Sequence, residues 1–165
     1  FARVGGGSPK EMGQIFIEAH QYKGTSLIEV LQNCVIFNDG CFNHLTDKDV
    51  KEDKQIFLEH GKPMIFGKNR DKGLVLKGLK LEVVTIGENG VTQEDLLVHN
   101  AKEKDPTLHF MLVRMEYPLA TGVIRSFDDV TLEEREDALT AQVKANSSFT
   151  KTDDLFFSGE TYEVK

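Results

Sequence analysis

GTSLIEVLQNCVIFNDGCF, residues 24–42, is the stretch on which the reading of the fold turns. Its first part, residues 25–31, is too short for an ordinary helix. It is rich enough in Leu, Ile and Val for a strand buried on both faces, as parallel sheets require. The run stops at Gln32, Asn33 and Cys34, and Asn38-Asp39-Gly40 follows as a turn signal. A buried strand ending in a polar loop that holds a thiol is where an open α/β sheet keeps its chemistry, because ligands gather beyond the carboxyl ends of its strands. The functional weight therefore falls on residues 32–41.

Upstream, residues 1–4 read as the end of a strand, and Gly5-Gly6-Gly7 lets the backbone turn. Ser8-Pro9-Lys10-Glu11 predicts a helix start, with Ser8 as cap, Pro9 in the first turn and Glu11 closing a capping box. Met12, Ile15, Phe16 and Ala19 supply one apolar stripe, and Gly24 ends the helix. Strand, helix and strand within about thirty residues make a right-handed βαβ crossover. The triple glycine lacks the dinucleotide fingerprint and its acidic follower, so it reads as turn geometry.

Downstream, residues 47–54 are charge-dense and read as a solvated loop or short helix, and residues 62–67 as a brief strand. Residues 74–76 and 79–84 predict a hairpin turning at Lys77-Gly78, with one wet face. Residues 96–99 read as a returning strand. Asp105-Pro106 opens a helix with a stripe at Leu108, Met111, Leu112 and Met115. Thr131 and Glu134 form a capping box for a polar helix to about Ala145, and the aromatic tail reads as an arm that packs on something. The chain divides near residue 45: an α/β crossover that is not a complete sheet, then an α+β extension.

Composition narrows the function. The chain has 165 residues and a formal net charge of −7, a balance that repels nucleic acid and anionic membranes. No apolar run approaches the roughly 18 residues that span a bilayer, and no leader pattern opens the chain, so a cytoplasmic location is expected. The chain begins FARVGGG without Met and reads as a fragment. Cys34 and Cys41, seven apart, form neither a CxxC pair nor a disulfide framework. From spacing alone Cys34 reads as a buried structural thiol. His20, His44, His60, His99 and His109 show no ligand-like spacing and read as surface or satisfied core residues. No Walker, GxSxG or basic-aromatic pattern is present.

The residues also carry a resemblance. KGTSLIEVLQNCVIFNDGCF, residues 23–42, closely resembles the last sheet strand and following loop of the β subunit of 2-oxoacid:ferredoxin oxidoreductases, nearest to the 2-oxoglutarate type. LTDKD (45–49), LEHGKPMIFG (58–67), LLVHNA (96–101), TGVIR (121–125) and the closing SGETYEV (158–164) are like that subunit's C-terminal region, in the same order.

The resemblance implies an enzyme that oxidatively decarboxylates a 2-oxoacid on thiamine diphosphate and Mg²⁺. It would pass the acyl group to coenzyme A and electrons through a [4Fe–4S] cluster to ferredoxin. By motif, Cys34 matches the fourth cluster cysteine, which reverses the reading from spacing, whereas Cys41 matches no ligand. The family's Gly-Asp-Gly…Asn motif and its three other cluster cysteines do not occur in this chain. The chain alone is therefore expected to be inactive. Residues 1–45 would be the end of the thiamine-diphosphate-binding α/β domain, its last βαβ unit in a doubly wound sheet. Residues 46–165 would be a C-terminal extension serving contact with the α subunit, and the open flank of an incomplete sheet leaves room for a homodimer. The rival readings are a non-catalytic interaction domain that keeps the family shape and an unrelated enzyme with Cys34 as nucleophile.

Overall fold

The computed structural model describes residues 1–164, and the chain divides into two compact units, Phe1–Asp128 and the part that begins at Asp129. In the first unit β1 (Ala2–Gly5) passes through α1 (Pro9–Gln21) into β2 (Ile28–Leu31). Two single-turn helices, α2 (Asn43–Thr46) and α3 (Lys51–Lys54), precede β3 (Gln55–Leu58). Then come β4 (Ile65–Phe66), β5 (Lys72–Lys77), β6 (Lys80–Thr85), α4 (Thr107–Arg114) and β7 (Leu119–Val123).

The expected crossover is present, with β1 and β2 parallel from Ala2↔Ile28 to Gly5↔Leu31. Ile15 of α1 is buried with Ala2 and Val4, and Met12, Ile28, Val30 and Val123 pack around them. Two local expectations are corrected. β2 is not buried on both faces: it lies at the edge of a sheet ordered β2-β1-β7-β3, and none of its four residues is buried. An edge strand has a neighbour on one side only, so its apolar content awaits cover on the other. The Ser8–Glu11 capping box does not form either. Lys51 draws both groups to itself, donating to Ser8 Oγ at 2.6 Å and to the Glu11 carboxylate at 3.0 and 3.1 Å. An ammonium donor outcompetes a neutral backbone N–H for these acceptors.

At the centre of the sheet, beside the expected β1, stands β7, a strand that the hydrophobic pattern did not announce. β7 runs antiparallel to β1 and parallel to β3, and Gly122 is the register partner of both Arg3 and Leu58. Gly122 has φ +89°, and a Cβ placed there would stand 2.5 Å from the Leu58 carbonyl oxygen. Only glycine meets both conditions. Arg3, buried beside it, donates to Glu29 at 2.7 Å and to the Ala120 carbonyl at 3.4 Å, tying β1 to both of its neighbours.

The second sheet, β4-β5-β6, is antiparallel. Its hairpin turns at Gly78-Leu79, one residue later than expected, because Lys77 pairs with Lys80 and Gly78 takes φ +60°. Residues 96–99 are not a regular strand, yet their backbone bonds like one: His99 donates to Lys62, Met64 to Leu97 and Leu97 to Leu74. Leu96 seats against Gly73, where any Cβ would fall 2.5 Å from its methyl groups. The main core gathers Ile56, Leu58, Met64, Phe66, Leu74, Leu112, Ala120 and Ile124 from both sheets and α4. The four-stranded sheet thus takes strands from both sides of residue 45.

In the second unit α5 (Leu132–Asn146) opens on the expected capping box: Thr131 Oγ1 accepts from the Glu134 amide and Glu134 accepts from the Thr131 amide. No residue of α5 is buried. α6 (Thr152–Phe156) is anchored by Asp154, whose carboxylate accepts from the amides of Thr150 and Lys151.

Gly122→Ala is expected to destabilise the first unit by about 3 kcal/mol, since it adds both left-handed strain and a backbone clash. Urea unfolding followed by far-UV circular dichroism reads this directly, and an unchanged midpoint would contradict the placement of β7.

Candidate functional site

Beyond the carboxyl ends of β1 and β2 lies an open cleft of about 520 Å³, lined among others by Gly6, Leu31, Gln32, Asn33, Phe42 and Asp47. Gly6 donates its amide to the Leu31 carbonyl at 2.9 Å, and a Cβ there would press on that same oxygen at 3.3 Å. A smaller cavity of about 240 Å³ opens beneath α1 and is lined by Tyr22, Leu27 and Phe127 among others; it contains no cysteine or histidine.

The loop at the mouth of the first cleft is locally determined. Asn33 reaches across it, donating to Asp39 Oδ1 at 2.7 Å and accepting the Gly40 amide at 2.8 Å. Gly40 takes φ +71°, which the turn requires. The Asn38 amide donates to the Cys34 carbonyl at 2.9 Å, so residues 34–38 close into a tight turn. The backbone N–H groups of Phe37 and Ile36 lower the Cys34 thiol pKa from the ordinary cysteine value, and that of Asn38 adds to them.

Cys34 is exposed and unpaired, which corrects the reading from spacing alone that made it a buried structural thiol. A strand end at the sheet edge has no layer above it to bury the side chain. Cys41 is half-buried, likewise free, and no function attaches to it. The next three residues after Cys34 are apolar and open to solvent: Val35 is 74% exposed, Ile36 82% and Phe37 89%. Among the described residues no group of three His, Cys, Asp or Glu side chains could hold a metal ion. The loop offers one thiolate ligand suited to a metal or cluster, and the remaining ligands of such a group would have to come from elsewhere.

The histidines separate into two classes. His20, His44 and His60 are exposed, while His99 and His109 are buried and meet edge to face at 6.2 Å. Arg125 donates to His109 Nδ1 at 3.0 Å, so His109 donates from Nε2 to the Asn100 carbonyl. His99 bonds the Val123 carbonyl at 2.9 Å, and its Nδ1 has no partner among the described residues. Burial pushes the His99 pKa down, with His109 and His60 adding repulsion, against the opposing effect of the Val123 carbonyl. These rings are structural, and sequence spacing gave no sign that they meet.

No family model matches the chain, and no solved structure matches it. One curated protein does: the 2-oxoglutarate oxidoreductase subunit KorB of Mycobacterium tuberculosis (strain ATCC 25618 / H37Rv), 35% identical over 133 residues. The chain is a relative of that β subunit. The match covers 80% of this chain and 35% of KorB, so the chain spans about a third of the relative's length. The comparison thus agrees with the resemblance to 2-oxoacid oxidoreductase β subunits.

Two outcomes are expected. In a Cys41→Ser background, Asn33→Ala should move the midpoint of Cys34 alkylation by iodoacetamide upward, toward an ordinary cysteine; a fixed midpoint would remove the loop from the account. For His99, the folded pKa lies below the unfolded value of roughly 6.5, so the unfolded chain takes the proton first. Its contribution to stability is full above about pH 6.5 and is lost as the pH falls from there toward the folded value. The urea midpoint should decline from pH 7 to pH 5, and His99→Gln, less stable throughout, should flatten that slope.

Proposed function

We propose that this chain is the C-terminal portion of a 2-oxoacid oxidoreductase β subunit, and that Cys34 is one ligand of its [4Fe–4S] cluster in the complete subunit. The observation that supports this is the exposed thiol in the loop that follows β2, lowered in pKa by backbone amides and next in sequence to Asn33, which lines the cleft. A deprotonated sulfur is what iron requires, and amide donors around it also favour the reduced, more negative cluster. Residues 1–45 correspond in this reading to the end of a thiamine-diphosphate-binding domain, and residues 46–165 to an extension in contact with the α subunit.

The reaction proposed is oxidative decarboxylation of a 2-oxoacid, 2-oxoglutarate first, with coenzyme A as acyl acceptor and ferredoxin as electron acceptor. Thiamine diphosphate with Mg²⁺ supplies the carbanion chemistry and the cluster the one-electron steps. This chain's own part is positional. Asn33 and Gly40 fix the loop, Cys34 presents its sulfur at the rim of the cleft, and Val35, Ile36 and Phe37 form an apolar cover that keeps water from the neighbouring sulfur once the rest of the subunit lies over it. The chain has none of the other cluster cysteines and no Gly-Asp-Gly…Asn motif, so turnover is a property of the assembled enzyme.

In the full-length β subunit assembled with its α subunit, Cys34→Ser should remove most of the iron–sulfur absorption of that cluster and abolish ferredoxin reduction, while Cys41→Ser leaves both near wild type. Unchanged iron content in Cys34→Ser would refute the assignment.

A further inference from the structure

The four-stranded sheet has two carboxyl rims. β1 and β2 run one way, toward the cleft and the Cys34 loop, while β7 and β3 run the other way and end on the far rim. Ligands of open sheets gather beyond such strand ends. On the far rim a cavity of about 240 Å³ is walled by Glu59 and His60 after β3, Ser126 after β7, Lys102, and Glu18 of α1. Ile15, Leu58, Ala101 and Val123 give it apolar surface. The wall is fixed before any ligand arrives. Ala101 donates its amide to His60 Nδ1 at 3.2 Å and accepts the Ser126 amide at 2.8 Å. With Nδ1 accepting, His60 carries its proton on Nε2, which has no partner among the described residues.

The charges around this cavity are unspent. Among the described residues none of Glu18, Glu59 and Lys102 enters an ion pair, and Glu18 accepts only from Gln14, at 3.5 Å. Glu18, Glu59 and His60 do not form a group that could hold a metal ion. What they offer is two carboxylate acceptors for an ammonium, with Lys102 and the His60 ring N–H as donors to a carboxylate. A dicarboxylate would meet two glutamates and a diamine would meet Lys102, so a zwitterion is the charge pattern that satisfies both sets. The volume lies below the roughly 300–1,000 Å³ of pockets for drug-sized ligands and suits one small metabolite. We propose that this cavity binds an aliphatic α-amino acid. Its ammonium is held by Glu18 and Glu59, its carboxylate by Lys102 and His60, and its side chain lies on Ile15, Leu58 and Val123. The inference uses no residue of the Cys34 loop, and its failure would leave the iron assignment untouched.

The test is isothermal titration calorimetry of the full chain near neutral pH with three probes. These are L-leucine, isocaproate, which has the same carbon chain without the amine, and isopentylamine, which lacks the carboxylate. Saturable binding of one L-leucine per chain is expected, with each single-charge analogue at least tenfold weaker. Lys102→Ala should weaken L-leucine at least tenfold and leave isopentylamine unchanged. Glu18→Gln with Glu59→Gln should weaken L-leucine at least tenfold and make isocaproate no weaker. All three side chains are exposed, and thermal melting checks that each variant is folded. No saturable heat with L-leucine, equal affinity for all three probes, or indifference of L-leucine binding to both sets of substitutions would overturn the proposal.

Discussion

The close approach of β7 to β3 at Gly122 is the constraint on which the first unit depends. There one residue is the register partner of Arg3 on one side and Leu58 on the other, and the Leu58 backbone comes so near that no side chain fits between. That contact places a strand of small residues at the centre of the sheet. β1 then lies next to it, β2 is left at the edge, and the carboxyl ends of these two parallel strands open into the cleft. Arg3 reinforces the arrangement from within the sheet, where its guanidinium satisfies the Ala120 carbonyl and a carboxylate on the edge strand at once.

The edge position of β2 governs the chemistry of the loop that follows. A strand end packed between layers would have buried Cys34 and raised its thiol pKa by desolvation. At the edge the sulfur stays in solvent, and the amides of residues 36–38 lower the pKa instead. The same exposure leaves Val35, Ile36 and Phe37 in water. Three consecutive apolar side chains at a loop tip are a costly surface for a finished protein and an ordinary one for a part that is covered by its neighbours. The proposed place of this chain within a larger subunit accounts for the thiol and the bare apolar loop together.

Local signals in the sequence were legible where they act locally. The crossover of β1, α1 and β2, the β5–β6 hairpin, the α4 helix and the Thr131–Glu134 capping box all follow from periodicity, turn chemistry and caps. What was not legible is what depends on distant partners. β7 reads LATGV, with no alternation to announce a strand, and it exists because β1 and β3 supply its hydrogen bonds. Ser8 and Glu11 satisfied every rule for a capping box, yet Lys51, forty residues away, took both. Cys34 was misjudged from spacing because burial depends on whether its strand is central or at an edge, a property of sheet order. The structure has it exposed in the loop that follows β2, and the buried pairing of His99 with His109 had no counterpart in spacing at all.

The central claim is that the Cys34 sulfur binds iron once the remainder of the subunit is present. Anomalous X-ray scattering at the iron edge, on crystals of the complete αβ enzyme, tests it most directly. The account predicts an iron peak within bonding distance of the Cys34 sulfur, beside the cleft at the ends of β1 and β2. Iron held wholly by other cysteines, with the Cys34 thiol free, would contradict it.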